Sequence, residues 1–115
     1  MKKITIYHNP RCSKSREALA ILQEKNCLLE TIEYLKTPLN ASKIKTLLKQ
    51  LQLNPIDIMR TKETCFSELG LSKKSTDAVL IKAMVENPIL IERPIVSDGK
   101  KAVIGRPVEN VLKLL

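Results

Sequence analysis

The stretch Ile4-Thr5-Ile6-Tyr7-His8-Asn9-Pro10-Arg11-Cys12-Ser13-Lys14-Ser15-Arg16 decides the fold of this chain. Residues Lys2 to Tyr7 alternate polar and apolar, the period of a half-buried strand. From Ser13 to Lys25 the apolar positions Ala18, Leu19 and Leu22 recur at helical spacing, and Asn26 is suited to close the helix. A single cysteine therefore sits where a strand ends and a helix begins, with His8, Arg11, Lys14 and Arg16 close by in sequence. The thiolate, not the thiol, is the nucleophile, and both cations and a helix N-terminus stabilise it. The placement predicts a reactive thiol at Cys12.

Outward from this turn, Cys27 to Leu35 is rich in Leu, Thr, Ile and Tyr and reads as a second strand, ended by Thr37-Pro38. Such a β-α-β start predicts two parallel strands joined by a right-handed crossover. Asn40 or Ser42 caps a helix whose apolar face is Ile44, Leu47, Leu48 and Leu51, and Asn54-Pro55 opens a short helix to about Arg60. Thr61 to Leu71 reads as mixed structure stopped at Gly70, and Ser75-Thr76-Asp77 opens a helix carrying Val79, Leu80, Ala83 and Met84. After the short apolar run Ile89-Leu90-Ile91, the segments Pro94-Ile95-Val96 and Ala102-Val103-Ile104 flank Ser97-Asp98-Gly99-Lys100, a hairpin signature. A last helix is predicted with the face Val108, Val111, Leu112 and Leu115. This order, βαβ, helices, ββα, with a cysteine at the first strand-to-helix turn, is the layout of an α/β thioredoxin-like fold. It predicts one domain over residues 1–115 with a helical insertion at about 40–88.

Composition narrows the function classes. The formal charge of +8 is spread over scattered lysines, with only the doublets Lys73-Lys74 and Lys100-Lys101 and no interleaved aromatics. That pattern suits a solvated surface or attraction of a small anion, not nucleic-acid binding. No apolar run is long enough for a membrane-spanning helix, and Met1-Lys2-Lys3 leads into a short strand instead of a secretory leader. Cys12, Cys27 and Cys65 are widely spaced and accompanied by one histidine, so they form neither a disulfide framework nor a zinc site. A cytoplasmic location follows as the expectation. Cys27, among leucines, and Cys65, without a partner motif, read as packing residues.

The motif Cys12-Ser13-Lys14-Ser15 places a hydroxyl where a Cys-x-x-Cys site has its resolving thiol. Cys12 then works alone, and the resolving electrons come from an external thiol. Ser15 is expected to donate toward the sulfur and to cap the helix, and His8, as an imidazolium, to stabilise the thiolate. Asn9-Pro10 is expected to aim loop amides at a bound anion. Arg60 ends a short helix, and Arg93 and Arg106 each precede a proline. Arg93-Pro94 stands where thioredoxin-like folds place a cis-proline beside the active cysteine. Guanidinium forks bind two oxygens at once, so arginines converging on a thiolate would receive a tetrahedral oxyanion.

Together, Ile4-Thr5-Ile6-Tyr7-His8-Asn9-Pro10, Cys12, Ser15-Arg16, Met59-Arg60, Asn87 through Val96 and Ile104-Gly105-Arg106-Pro107 resemble the glutaredoxin-dependent arsenate reductase family, across essentially the whole chain. The resemblance implies that Cys12 attacks arsenic(V), that Arg60, Arg93 and Arg106 bind the oxyanion, and that His8 and Ser15 depress the thiol pKa. It further implies glutathione as co-substrate, glutaredoxin as protein partner, and no bound metal or organic cofactor. Two other classes stay open. One is an Spx-type regulator binding RNA polymerase, against which Ser15 and the arginine set argue. The other is a monothiol oxidoreductase acting on glutathione-linked substrates. Arg11 and Lys14 are without an assigned role.

Overall fold

Ile4 and Ile6 are wholly buried on the strand that organises the sheet, and they do so because they share one face of the period-2 pattern. The computed structural model of the protein describes residues 2–115, which form two compact units. The first comprises Met1–Thr37 and Arg93–Leu115, the second Pro38–Glu92. The expected helical insertion corresponds to the second unit.

In the first unit, β1 (Lys2–Tyr7), α1 (Ser13–Glu24) and β2 (Cys27–Ile32) form the β-α-β start, and β3 (Ile95–Ser97) and β4 (Ala102–Ile104) form the hairpin. The strand order is β2-β1-β3-β4, with β1 parallel to β2 and antiparallel to β3. This is a thioredoxin-like sheet. Its core joins Ile4, Ile6 and Val96 to Ala18 and Leu22 of α1 and to Val111 and Leu114 of the C-terminal helix. Each Ile, Val or Leu side chain taken from water here contributes about 1.5–3 kcal/mol. Lys2 ties the start of β1 to the C-terminal segment, donating to the Leu114 carbonyl and pairing with Asp98 at 3.1 Å.

Two expectations for this unit need correction. β2 stops at Ile32, not at Leu35, because Tyr7↔Ile32 is the last pair that β1 offers it. The chain turns there instead, with the Lys36 and Thr37 amides donating to the Glu33 carbonyl. The last helix, Val108–Leu114, is 3-10 throughout. Its repeat of three residues turns Val108, Val111 and Leu114 inward and leaves Leu112 and Leu115 at 43% and 45% exposure, against the face expected from an α-helical period.

In the second unit, α2 (Ala41–Leu51), α3 (Thr64–Glu68) and α4 (Asp77–Glu86) are joined by 3-10 turns at Pro55–Ile58 and Pro88–Leu90. Asn40 caps α2, accepting from the Lys43 amide at 2.8 Å, and Thr76 caps α4 by accepting from Val79. Ile44, Leu47 and Leu48 of α2 and Leu80, Ile81, Ala83 and Met84 of α4 are buried. A two-residue bridge pairs Met59 with Ile91, flanked by the Arg60 amide donating to Leu90 and the Glu92 amide to Ile58. No helix of the described residues is long and apolar enough to cross a membrane.

Candidate active site

The cysteine turn is built by its own backbone. Cys12 is the N-cap residue of α1, with extended dihedrals, and its carbonyl accepts the first helical hydrogen bond from Arg16. An N-cap side chain lies where the amides of the second and third helical residues point. Here those residues are Lys14 and Ser15, and the Cys12 sulfur stands where a serine or aspartate oxygen usually accepts. Burial pushes the Cys12 thiol up, but the Ser15 amide, the Arg93 guanidinium, the Lys14 amide and the Arg106 guanidinium outweigh it and hold the thiol below its ordinary range. Cys12 is buried, at 8% exposure.

The two arginines both act on the thiol because the hairpin register brings them together. β3 and β4 pair Ile95 with Ile104, and the Gly105 amide donating to the Pro94 carbonyl at 2.9 Å adds one rung. Arg93 and Arg106 stand on the rung beyond, where Arg106 Nε donates to the Arg93 carbonyl at 2.8 Å. The second arm of the same guanidinium donates to Cys12 Sγ, Nη2 to sulfur 3.3 Å. Both Arg-Pro peptide bonds, Arg93-Pro94 and Arg106-Pro107, are cis.

His8 and Ser15 act differently from expectation. His8 is buried, and burial lowers its pKa; Glu33 raises it, Arg16 lowers it, and the net shift is downward. The imidazolium form is therefore disfavoured, and the cations that lower the thiol pKa are arginines. His8 Nδ1 lies 2.7 Å from Ser15 Oγ, which also accepts from the Asn9 amide at 3.0 Å. Ser15, wholly buried, thus spends its hydroxyl on the loop and reaches the sulfur through its amide. The loop amides are not available to an anion either. Asn9 N–H goes to Ser15, Arg11 N–H to the Asn9 side chain and Cys12 N–H to the Asn9 carbonyl, while Pro10 has none. The donors left at this turn are the first amides of α1 and side chains.

Arg60 lies in the second unit, just beyond the Pro55–Ile58 turn, where its guanidinium pairs with Glu63 at 2.8 Å. Cys27 Sγ donates to the Leu22 carbonyl at 3.5 Å, as a packing cysteine does. Among the described residues no group of histidine, cysteine and carboxylate side chains is arranged to hold a metal ion.

A family model matches residues 7–114, nearly the whole chain. The chain belongs to the ArsC family. This ArsC-family protein is 49% identical to the uncharacterized protein YfgD of Escherichia coli K12, over 99% of the chain and 98% of the relative. It is 43% identical to an arsenate reductase of Neisseria meningitidis, with both chains covered completely. Among solved structures, the arsenate reductase from Vibrio cholerae superposes with a TM-score of 0.94 at 45% identity, covering 99% of this chain and 98% of that one.

What sequence reasoning missed in this ArsC-family site is the adjacency of Arg93 and Arg106. A hairpin centred on Asp98–Lys101 sets residue 93 opposite residue 106 by counting alone. The same count places Gly105 against Pro94, a contact taken up below.

Proposed function

We propose that this protein reduces arsenate to arsenite, with Cys12 as nucleophile and with glutathione and a glutaredoxin supplying the electrons. The observation that carries this reading is the Arg106 contact to Cys12 Sγ at 3.3 Å, on a thiol held below its ordinary pKa. Cations that stabilise a thiolate also present paired N–H donors to a tetrahedral oxyanion, bringing nucleophile and electrophile to one place.

The thiolate attacks arsenic(V), an As–S bond forms, and a protonated arsenate oxygen leaves as water. The thiol of glutathione forms a second As–S bond with loss of another water. A glutaredoxin thiolate then attacks the glutathione sulfur. That S–As bond breaks with its electron pair left on arsenic, which falls to arsenic(III), and a glutathione–glutaredoxin disulfide departs. Water displaces Cys12, arsenite leaves, and the thiol is restored. The two electrons gained by arsenic equal those lost in making one disulfide. Ser15 and Lys14 keep the thiolate ionised through their amides, and His8 holds Ser15 in place. The resemblance adds Arg60 to the oxyanion ligands. Because Glu63 already neutralises it, Arg60→Gln should raise KM for arsenate less than Arg106→Gln does.

Purified protein with glutathione, glutaredoxin, glutathione reductase and NADPH should oxidise NADPH when arsenate is added, and Cys12→Ser should abolish the rate. Phosphate should compete without turnover, since thiols do not reduce phosphorus(V). A rate on glutathione mixed disulfides with none on arsenate would overturn the proposal in favour of a general monothiol oxidoreductase.

A further inference from the structure

We infer that Gly105 is a positioning residue for the thiolate: the absence of its Cβ sets how closely the two arginine-bearing segments approach, and so where both guanidinium groups stand relative to Cys12. The inference holds whichever oxyanion the site takes.

The requirement at Gly105 is one of space. Gly70 and Gly99 have positive φ and open surroundings, so their glycines serve turns. Gly105 has no positive φ, so an alanine there meets no backbone objection. A Cβ on Gly105 would instead lie 2.8 Å from Pro94 Cγ, 3.4 Å from Pro94 Cδ and 3.4 Å from Val111 Cγ1. Real Cβ atoms do not approach carbon at 2.8 Å, so something must move. The neighbour has no free side-chain rotation, so Pro94 can give way in place only by a change of ring pucker. Nor can the methyl retreat the other way, since Val111 is wholly buried in the core of the first unit.

The remaining response is for Pro94 and Gly105 to separate. Their rung is the hydrogen bond from the Gly105 amide to the Pro94 carbonyl at 2.9 Å. Arg93 and Arg106 are the next residues on each side, joined by Arg106 Nε donating to the Arg93 carbonyl at 2.8 Å. Opening one rung shifts the other, and the same Arg106 guanidinium carries the 3.3 Å contact to Cys12 Sγ. Both cations acting on the thiol are thus anchored through a glycine that touches neither substrate nor sulfur.

The test is the pH dependence of Cys12 reacting with dithiodipyridine, in a background where Cys27→Ser and Cys65→Ser leave one thiol. Gly105→Ala should raise the midpoint by about half a pH unit or more, a fraction of what removing a nearby opposite charge does. Arg106→Gln should raise it as well. Combining the two should add less than the sum, because part of the Gly105 effect runs through the Arg106 guanidinium. Should Gly105→Ala fail to fold, the variant also carrying Val111→Ala is measured instead, with a smaller rise expected because room on the core side relieves part, not all, of the contact with Pro94. An unchanged midpoint in a folded variant, full additivity with Arg106→Gln, or failure of both variants to fold would each overturn the inference. The first and last outcomes assign Gly105 to the fold alone, and full additivity gives it an effect on the thiol independent of Arg106.

Discussion

Replacing Arg106 with glutamine removes a full charge while leaving an amide donor near the thiol. The size of the effect follows from the 3.3 Å separation between Nη2 and Cys12 Sγ. At that distance two unit charges attract by about 1.3 kcal/mol with the dielectric constant of water and by about 2.5 kcal/mol with half that screening. Arg106 is exposed, so the lower figure governs, and it corresponds to about one pKa unit. The Cys12 midpoint should therefore rise by about one unit in the single-thiol background. The rate with dithiodipyridine should change in opposite senses at the two ends of the pH range. Well below the midpoint the thiolate fraction falls about tenfold, but a more basic thiolate is intrinsically about threefold more nucleophilic, so the net loss is about threefold. Well above the midpoint the variant should be about threefold faster than its parent. Stopped-flow absorbance from pH 4 to 10 gives both limbs, and the two profiles should cross. Parallel profiles with one midpoint would mean that the guanidinium does not set the ionisation of the thiol, and the reasoning about the site would fail.

Other expectations concern the scaffold around that contact. Ser15→Ala leaves the Asn9 amide and His8 Nδ1 without their shared partner and should cost about 1–3 kcal/mol in urea unfolding. It should shift the Cys12 midpoint less than Arg106→Gln, because the Ser15 amide survives; a larger shift would return the hydroxyl to the sulfur. Val111→Ala should destabilise by about 2 kcal/mol while Leu112→Ala stays within about 0.5 kcal/mol, and the reverse order would refute the 3-10 period of the last helix. Asp98 has its pKa lowered to about 2, first by the Lys101 amide, against the effect of burial, and then by the Lys100 amide and Lys2. A depressed carboxyl contributes stability that is complete above about pH 4 and lost as pH falls through about 2. Asp98→Asn should accordingly lower the urea midpoint at pH 7, with the difference from the parent closing between those two values. A difference independent of pH would show that the carboxylate charge is not involved.

Much of the fold was legible because local patterns and tertiary pairing agree there. β1, α1 and the β3–β4 hairpin carry their own periodicity and turn residues, with Gly99 at φ 93° and Asp98 accepting from the Lys100 and Lys101 amides. The end of β2 was not legible, since Tyr34 and Leu35 are good strand residues and only the length of β1 denies them a partner. Likewise, Val108-x-x-Val111-x-x-Leu114 fits a 3-10 repeat, yet Leu112 and Leu115 complete an α-helical face equally well on paper.

The site divides the same way. Cys12 was legible as a nucleophile from its position at a helix start beside cations. The charge state of His8 was not, because it depends on burial and on Glu33 and Arg16, which sequence distance does not convey. Nor was the consumption of the Asn9, Arg11 and Cys12 amides within the loop. Those amides are thereby withdrawn from any role toward an anion.

The proposed function requires that Cys12, and no other thiol of this chain, drives reduction of arsenate. The most direct measurement is arsenite formed from arsenate in the glutaredoxin-coupled system, quantified by arsenic-specific detection after chromatography. One arsenite should appear per NADPH consumed; Cys27→Ser and Cys65→Ser should keep the rate, and Cys12→Ser should form none. Arsenite made by Cys12→Ser at the parent rate, or none made by the parent protein, would contradict the account.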